Sequence, residues 1–479
     1  MTKKLAIALL ALAASVAEAQ PARRNIIFIL SDDHRYDFMG FHPKAPAFLE
    51  TPALDRMAAE GAHVENAFVT TSLCSPSRAS ILTGQYTFRH GVVDNSRPIK
   101  EEAVFFPGIL KKAGYRTAFI GKWHMGHHTD EPQPGFDRWV SFPGQGMYED
   151  QELNVDGKRV QSKGYITDVL TDYALEWLKA QDDKAPFLLY LSHKAVHAEF
   201  VPAPRHRGRY ADVKLQYPVT MADTERNYRD KPKWVREQRY GWHGVDYMYH
   251  GAMTFDQFYR AYTETLLALD ESVARVIGHL EKNGLANSTL VLYMGDNGFS
   301  FGEHGLIDKR HAYEESIRVP MLAWGPGIVK RGTKVDEMVL NVDVAPTLLD
   351  YAGVSPAVAM DGRSFLPMLK GQEPKGWRDS FVYTYYWESY FPHTPTVFAL
   401  REDQYKYMYY HGIWDLNELY DLKADPNERV NLIESPAHRD RVRTMNKKLF
   451  GQLEAWGAVD VKFQPPVEGQ ADERLRHGH

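Results

Sequence analysis

The sequence predicts an α/β fold: a mainly parallel sheet flanked by helices, with a smaller C-terminal α+β subdomain containing an antiparallel sheet. Three observations predict it. Four continuous apolar runs each end in polar or ionisable residues, helical patterns separate them, and after Gly371 the chain turns to short Tyr-rich strands. A strand buried on both faces needs apolar residues at every position, which is the signature of a parallel sheet covered by helices. Alternation of such runs with helical patterns is how a chain builds that sheet.

Arg24-Asn-Ile-Ile-Phe-Ile-Leu30 is the first run and stops at Ser31-Asp32-Asp33. Tyr115-Arg-Thr-Ala-Phe-Ile120 stops at Gly121-Lys122-Trp123-His124, and Pro186-Phe-Leu-Leu-Tyr-Leu191 at Ser192-His193-Lys194. Ser288-Thr-Leu-Val-Leu-Tyr-Met294 stops at Gly295-Asp296-Asn297-Gly298. Open α/β sheets bind ligands at the carboxyl ends of their strands, so four such ends point to one crevice. The clearest helix spans Asp256 to Lys282, with Phe258, Tyr262, Leu266, Leu269, Val273, Val276 and Leu280 on one stripe and Gly284 past its end. A shorter one runs from Asp343 to Tyr351 and is closed by Gly353.

From about Arg205 to Gly251 no period is evident, and the segment is rich in Arg, Tyr, Trp and His. It reads as an excursion over the domain, part of which is expected to form a substrate rim. Beyond Gly371, Ser380–Tyr386, Phe398–Arg401 and Tyr405–Tyr410 read as antiparallel strands, and Pro436 to Trp456 as a helix.

Lys and Arg number 57 against 62 Asp and Glu, a formal charge of −5. That balance gives no reason to expect a polyanion-binding surface, so nucleic acid is not an expected partner. Lys3 and Lys4, the apolar stretch Leu5 to Val16, and Ala17-Glu18-Ala19 read as a cleaved secretory signal over residues 1–19. The stretch is too short for a comfortable membrane span, no cysteine lies near it for a lipid anchor, and no Arg pair precedes it. A periplasmic or secreted protein without a membrane anchor is expected. Lack of disulfides is compatible with export, because a chain of 479 residues needs no staples.

Cys74 is the single cysteine, and it stands in Thr-Ser-Leu-Cys74-Ser-Pro76-Ser-Arg78-Ala-Ser-Ile-Leu-Thr-Gly84. Pro76 in a first turn and Gly84 as a stop make this a helix whose N-terminus carries the cysteine, where free N–H groups attract an anion. A free cysteine is equally a small buried apolar residue or a nucleophile. Asp32, Asp33, Asp296 and Asn297 offer hard oxygen ligands of the kind Ca²⁺ prefers and Mg²⁺ accepts, with no His or Cys beside them to suggest zinc. Taken alone, Ser31-Asp32-Asp33 also reads as a helix cap, and Asp296-Asn297-Gly298 as a turn.

Cys-x-Pro-Ser-Arg followed by Ala-Ser-Ile-Leu-Thr-Gly resembles the signature of the type I sulfatases. The resemblance continues through Asp308-Lys309-Arg310, Tyr313-Glu-Glu-Ser-Ile-Arg318-Val-Pro320, Gly325-Pro-Gly-Ile328, Val342-Asp343-Val-Ala-Pro346 and Glu418-Leu-Tyr420-Asp421 with Asp425-Pro426-Asn-Glu428. It implies an alkaline-phosphatase-like fold and a Cys74 that a formylglycine-generating or equivalent maturation enzyme converts to Cα-formylglycine. It also implies a Ca²⁺ held by Asp32, Asp33, Asp296, Asn297 and the modified residue 74, with Mg²⁺ as the alternative ion. Arg78, Lys122, His124, His197 and Lys309 match the family's catalytic positions. Ala195-Val196-His197 departs from the family's Ala-Pro-His, which leaves His193 as a neighbouring candidate. His193, Glu303, His304 and Arg310 are the expected substrate contacts.

The division implied is a signal peptide at 1–19, a sulfatase catalytic domain at 20–372, a C-terminal subdomain at 373–462 and a polar tail at 463–479. The Asp308-Lys-Arg-x-x-Tyr-Glu run and the Gly-Pro-Gly-Ile after it look most like N-acetylglucosamine-6-sulfatases, which makes a sulfated carbohydrate the expected substrate. Two other readings are a phosphonate or phosphate ester hydrolase of the same superfamily and a non-catalytic glycan-binding relative.

Overall fold

Asn25–Ser31 lies near the middle of a ten-stranded sheet and is buried at all seven positions. In sheet order the strands are Thr333–Val335, Ala62–Val64, Met321–Trp324, Thr289–Gly295, Asn25–Ser31, Phe187–Ser192, Arg116–Lys122, Arg138–Phe142, Glu152–Val155 and Lys158–Gln161. The five from Thr289–Gly295 to Arg138–Phe142 are parallel, while Met321–Trp324 and Glu152–Val155 run antiparallel to their neighbours. The structure, a computed structural model, describes residues 24–459 apart from 127, 183, 241–247, 250, 252 and 390. The expected signal sequence and the 463–479 tail lie outside the described residues.

Both faces of the sheet are covered, which is why its strands are apolar throughout. Ile27, Ile29, Leu189 and Leu191 face a core shared with the helices Pro52–Glu60, Ile166–Lys179 and Phe255–Lys282. Ile26, Phe28, Leu30, Leu188 and Leu292 face the opposite core, with the helices Phe106–Lys112 and Val344–Ala352. The predicted stripe from Phe258 to Leu280 is buried, and Thr254 opens that helix with a capping box to Gln257. No described helix is long and apolar enough to cross a membrane.

Ser380–Tyr385, Thr396–Glu402, Tyr405–His411 and Glu418–Asp421 form the separate antiparallel sheet. Its last strand was not apparent as a strand, since four residues of mixed polarity carry no period. Phe381, Tyr383, Tyr385, Val397 and Ala399 face the large domain, against Phe68 and Leu73. Val382, Phe398 and Leu400 face the helix Arg439–Ala455 through Met445, Leu449 and Leu453. The period of two thus divides the sheet between two partners. The Arg205–Gly251 excursion includes short helices at Glu225–Tyr228 and Lys233–Glu237, anchored by buried Tyr228, Trp234 and Val235.

The four chemistry-bearing strand ends are consecutive in the sheet and level in register: Ser31 pairs with Gly295, Leu30 with Ser192, and Ser192 with Gly121. Gly121 has φ +126°, and a Cβ there would lie 1.7 Å from the Ser192 carbonyl oxygen. Gly121→Ala is expected to cost about 2–4 kcal/mol and to lower Tm by several degrees, because strain and a backbone collision combine. Gly278, exposed in the long helix with nothing near its Cβ position, is the counterpart: Gly278→Ala is expected to add about 0.5–1 kcal/mol. Thermal melts of the two variants check both signs.

Candidate active site

The backbone beyond the strand ends is tied together before any side chain is considered. Asp32 N donates to Ala195 O at 2.9 Å, Val196 N to Asp32 O at 2.7 Å, and Asp296 N to Ser31 O at 2.9 Å. Asp33 takes a left-handed φ of 55°, and its N–H donates to Asp296 Oδ1 at 3.0 Å. Asn297 Nδ2 donates to Asp33 Oδ1 at 2.6 Å. These constraints bring Asp32, Asp33 and Asp296 together, each offering an oxygen within 4.8 Å of the others, all fully or almost fully buried.

Three buried cations answer them. Arg78 Nε donates to Asp296 Oδ2 at 2.9 Å, and Nη1 donates to Lys122 O at 2.8 Å and Ser192 Oγ at 2.7 Å. Its Nη2 lies 3.4 Å from Asp32 Oδ2. Lys122 donates to Asp32 and to Gln145 Oε1, and Lys309 donates to Asp33. Burial opposes charge on Asp32, yet Lys122 and Arg78 hold its carboxyl well below the usual carboxylate range. Burial pushes Asp33 up to about 7 against the pull of Lys309, with Asp32 and Asp296 adding to the rise. Asp296 is also raised, by burial first and then by Asp32, with Arg78 opposing.

A set of carboxylates that repel one another suits a bound cation. Asp33 Oδ2 and Asn297 Oδ1 are buried and accept no hydrogen bond, so hard oxygen donors remain for an ion. The donor set fits Ca²⁺ or Mg²⁺ better than a soft metal.

Cys74 opens the helix Cys74–Thr83, after an extended Leu73 and before Gly84 at φ 68°. The loop ahead of it is clamped by the C-terminal sheet: Thr384 N donates to Thr70 O at 2.9 Å, Thr71 Oγ1 to Thr384 O at 2.7 Å, and Ser72 N to Tyr383 Oη at 3.4 Å. Cys74 Sγ is 3.5 Å from Asp32 Oδ1, and Lys309 Nζ donates to it at 3.1 Å. Burial, with Asp32 adding, pushes the thiol up to about 12. No useful thiolate therefore forms at neutral pH, and the unmodified thiol is a poor nucleophile.

His124 is buried, and its carbonyl accepts from Ser75 Oγ. Its φ of 49° takes the chain out of the extended strand that ends at Lys122. His197 Nε2 lies 3.8 Å from Asp33 Oδ2, with Nδ1 bonded to Ala198 O. Burial, and next Lys122, depress its pKa.

The expected substrate contacts fall elsewhere. His193 is corrected to a packing residue: fully buried, it bonds Ser272 Oγ at 3.0 Å on the long helix, and burial pushes it down to about 3. His304, 1% exposed, stacks its ring on Tyr313 at 4.1 Å between centroids and lies close to Glu315 and Glu428. Arg310 Nε donates to Glu388 Oε1 at 2.9 Å and Nη1 to Asp308 Oδ2 at 2.6 Å, beneath Phe391 at 3.6 Å. Glu303 accepts from Arg35 Nη1 at 2.5 Å and Phe301 N at 2.7 Å, at the edge of a cavity of about 480 Å³ with Tyr36, Lys44 and Tyr217. Arginines of the excursion are engaged in surface ion pairs, Arg205 with Asp168 and Glu271, Arg207 with Glu149, and Arg209 with Glu50.

Sequence reading missed Ser192, Lys194 and Gln145. Ser192 and Lys194 lie in a strand-end segment already singled out, whereas Gln145 sits in a turn that carries no pattern.

Residues 24–354 match the family model described as Sulfatase, and 302–455 match N-sulphoglucosamine sulphohydrolase, C-terminal. An N-acetylglucosamine-6-O-sulfatase of Bacteroides thetaiotaomicron is 33% identical, covering 98% of this chain and 93% of its own. The N-acetylglucosamine-6-sulfatase of Homo sapiens is 29% identical, covering 90% and 83%. A solved structure in complex with its substrate D-glucosamine-2-N,6-O-disulfate superposes with a TM-score of 0.83 at 30% identity, covering 92% and 99%. The phosphonate monoester hydrolase of Agrobacterium radiobacter, 21% identical with a TM-score of 0.75 over 91% and 96%, shares the fold.

Ca²⁺ is expected to raise Tm, since it binds only the folded arrangement, and Asp296→Asn to abolish most of that rise. The sign of the pH dependence in EDTA follows from Asp33, whose folded-state pKa lies above its ordinary 3.8, at about 7. The native state then binds the proton more tightly at Asp33, which costs the stripped protein stability as pH rises through that interval, while Ca²⁺ takes the ionised form. Buried histidines such as His193, pushed down to about 3, act in the opposite direction in both conditions. The check is therefore the difference between melts in Ca²⁺ and in EDTA: the gap in Tm is expected to widen as pH rises through the interval, and a gap that narrows contradicts it.

Proposed function

The chain belongs to the sulfatase family, enzymes that hydrolyse sulfate esters, and on that premise we propose that it removes 6-O-sulfate from N-acetylglucosamine in glycosaminoglycan or mucin glycans. The substrate reading is supported by the 33% identity to an N-acetylglucosamine-6-O-sulfatase along nearly the whole chain. The observation that carries the chemistry is the placement of Cys74, the first residue of the Cys-x-Pro-Ser-Arg helix, with Lys309 Nζ donating to its Sγ at 3.1 Å at the centre of the charged cluster. Burial makes the thiol itself a poor nucleophile there, which supports reading Cys74 as the precursor of formylglycine.

When present, the hydrated aldehyde at residue 74 supplies an oxygen nucleophile. Asp32, Asp33, Asp296, Asn297 and residue 74 would hold Ca²⁺, which would supply positive charge for an anionic ester. The remaining work falls to the side chains. Lys122 and Lys309 neutralise the ester's oxygens in a site closed to water, where fixed charges act strongly. Arg78 holds Asp296 and the Lys122 carbonyl in place, so the nucleophile's surroundings are set before substrate arrives. His197, or Lys309, delivers a proton to the departing sugar oxygen; an anion that neutralises Lys122 and Lys309 offsets part of the depression of His197, the part that burial does not cause. His124 accepts a proton from the second hydroxyl at residue 74 as sulfate departs.

The same reading assigns 20–372 to the catalytic domain and 373–462 to the subdomain. It places the mature protein in the periplasm or outside the cell, after removal of residues 1–19.

The test is sulfate release from a panel of singly sulfated sugars and a matched phosphate ester, using protein shown by mass spectrometry to carry formylglycine. Release from 6-sulfated N-acetylglucosamine, with little from galactose-type or N-sulfated sugars, is expected. Turnover of another sulfate instead discards the substrate and keeps the chemistry. Cys74→Ala is expected to reduce kcat by more than about 10³-fold with little change in Tm, and retained turnover would sink the scheme.

A further inference from the structure

Each cation paired in the cluster has its own carboxylate: Lys122 has Asp32, Lys309 has Asp33, and Arg78 has Asp296. A fourth, Lys194, does not. It stands two residues beyond Ser192 and is 3% exposed, and among the described residues no carboxylate pairs with it. Its Nζ lies 4.7 Å from the centre of the Tyr148 ring, whose hydroxyl donates to His197 O at 2.7 Å. A cation–π contact contributes about 0.5–2 kcal/mol, less than the several kcal/mol that desolvating an ammonium costs. Lys194 is therefore a buried charge whose compensation is incomplete until an anion arrives.

Its position is fixed by the same backbone ties that build the site. His193 N donates to Leu30 O and Val196 N to Asp32 O, so Lys194 is bracketed between two anchors on the Asn25–Ser31 strand and its extension. Burial lowers its pKa to about 8, with Lys122 adding to the shift and Asp32, Asp33 and Cys74 opposing it. The ammonium therefore stands in the field of the groups around residue 74. Lys194 thus adds a fourth buried cation to three that are each paired with a carboxylate.

We propose that Lys194 is an anion-binding residue of this pocket, contacting the sulfate group of the ester and of the released product. The inference rests on the sulfatase reading above and adds a binding role that the paired cations do not fill.

Inorganic sulfate is the probe, titrated calorimetrically into the full-length protein in Ca²⁺ buffer. Lys194→Met keeps the stem against Tyr148 and removes the charge, and Lys194→Gln is a second neutral variant should the first fold poorly. Either is expected to weaken sulfate binding about 10- to 100-fold with little change in Tm, the loss of one charge-assisted hydrogen bond. Lys194→Arg is expected to stay within about threefold. On an aryl sulfate, kcat/KM should fall in parallel, mainly through KM.

Unchanged sulfate affinity in both neutral variants would make Lys194 a packing residue and overturn the proposal, as would a wild-type protein that binds no sulfate. Wild-type protein inactive on 6-sulfated N-acetylglucosamine, yet showing Lys194-dependent sulfate binding, would discard the substrate assignment and support this one.

Discussion

Three buried carboxylates within 4.8 Å of one another are the constraint on which the rest of this site depends. Left to themselves, Asp32, Asp33 and Asp296 would repel one another in a medium that hardly screens them. The protein answers with a cation for each. Every one of those cations is positioned by an element that also does something else. Arg78 rides on the helix that begins with Cys74, Lys122 ends a central strand, and Lys309 sits in a loop rich in left-handed residues: Gly302, His304, Gly305, Asp308 and Arg310. The cations are thus at once counter-ions for the carboxylates and contacts available to an anionic ester, so substrate binding and the electrostatic integrity of the resting site are one balance.

The sheet supplies the precision that balance needs. Consecutive parallel strands end at the same level, and Gly121 allows two of them to approach where a side chain would collide. The C-terminal sheet adds support from the other side. One of its faces packs on Phe68 and Leu73, and its edge residues bond the loop from Thr70 to Ser72. A subdomain with no catalytic side chain of its own in this scheme therefore fixes where the central residue points.

Much of this was legible in the sequence because burial on both faces leaves a plain mark. Asn25–Ser31 and Thr289–Gly295 read as parallel strands because nothing polar interrupts them, and the polar residues that follow read as a crevice for the same reason. The cluster of Asp32, Asp33, Cys74, Arg78, Lys122, Asp296 and Lys309 followed from strand ends together with a recognised motif. What escaped depended on long-range partners. His193 and His304 look like site residues by position, yet Ser272 and Tyr313, which engage them, are distant or neutral in pattern. Lys194 lay within a strand end that was singled out, but its burial without a paired carboxylate leaves no trace in spacing. Glu418–Asp421 is too short to show a period.

The clamp between the Cys74 loop and the C-terminal sheet also sets a clock. Thr71 and Thr384, which share a hydrogen bond, are separated by 313 residues. On a ribosome adding roughly 5–20 residues per second, the loop emerges roughly 15–60 seconds before the strand that fastens it exists. Throughout that interval the cysteine is on a chain that cannot yet close around it. The distance along the chain between a residue and its last structural partner is, for a nascent protein, a period of chemical access. This chain keeps that period open for most of its synthesis.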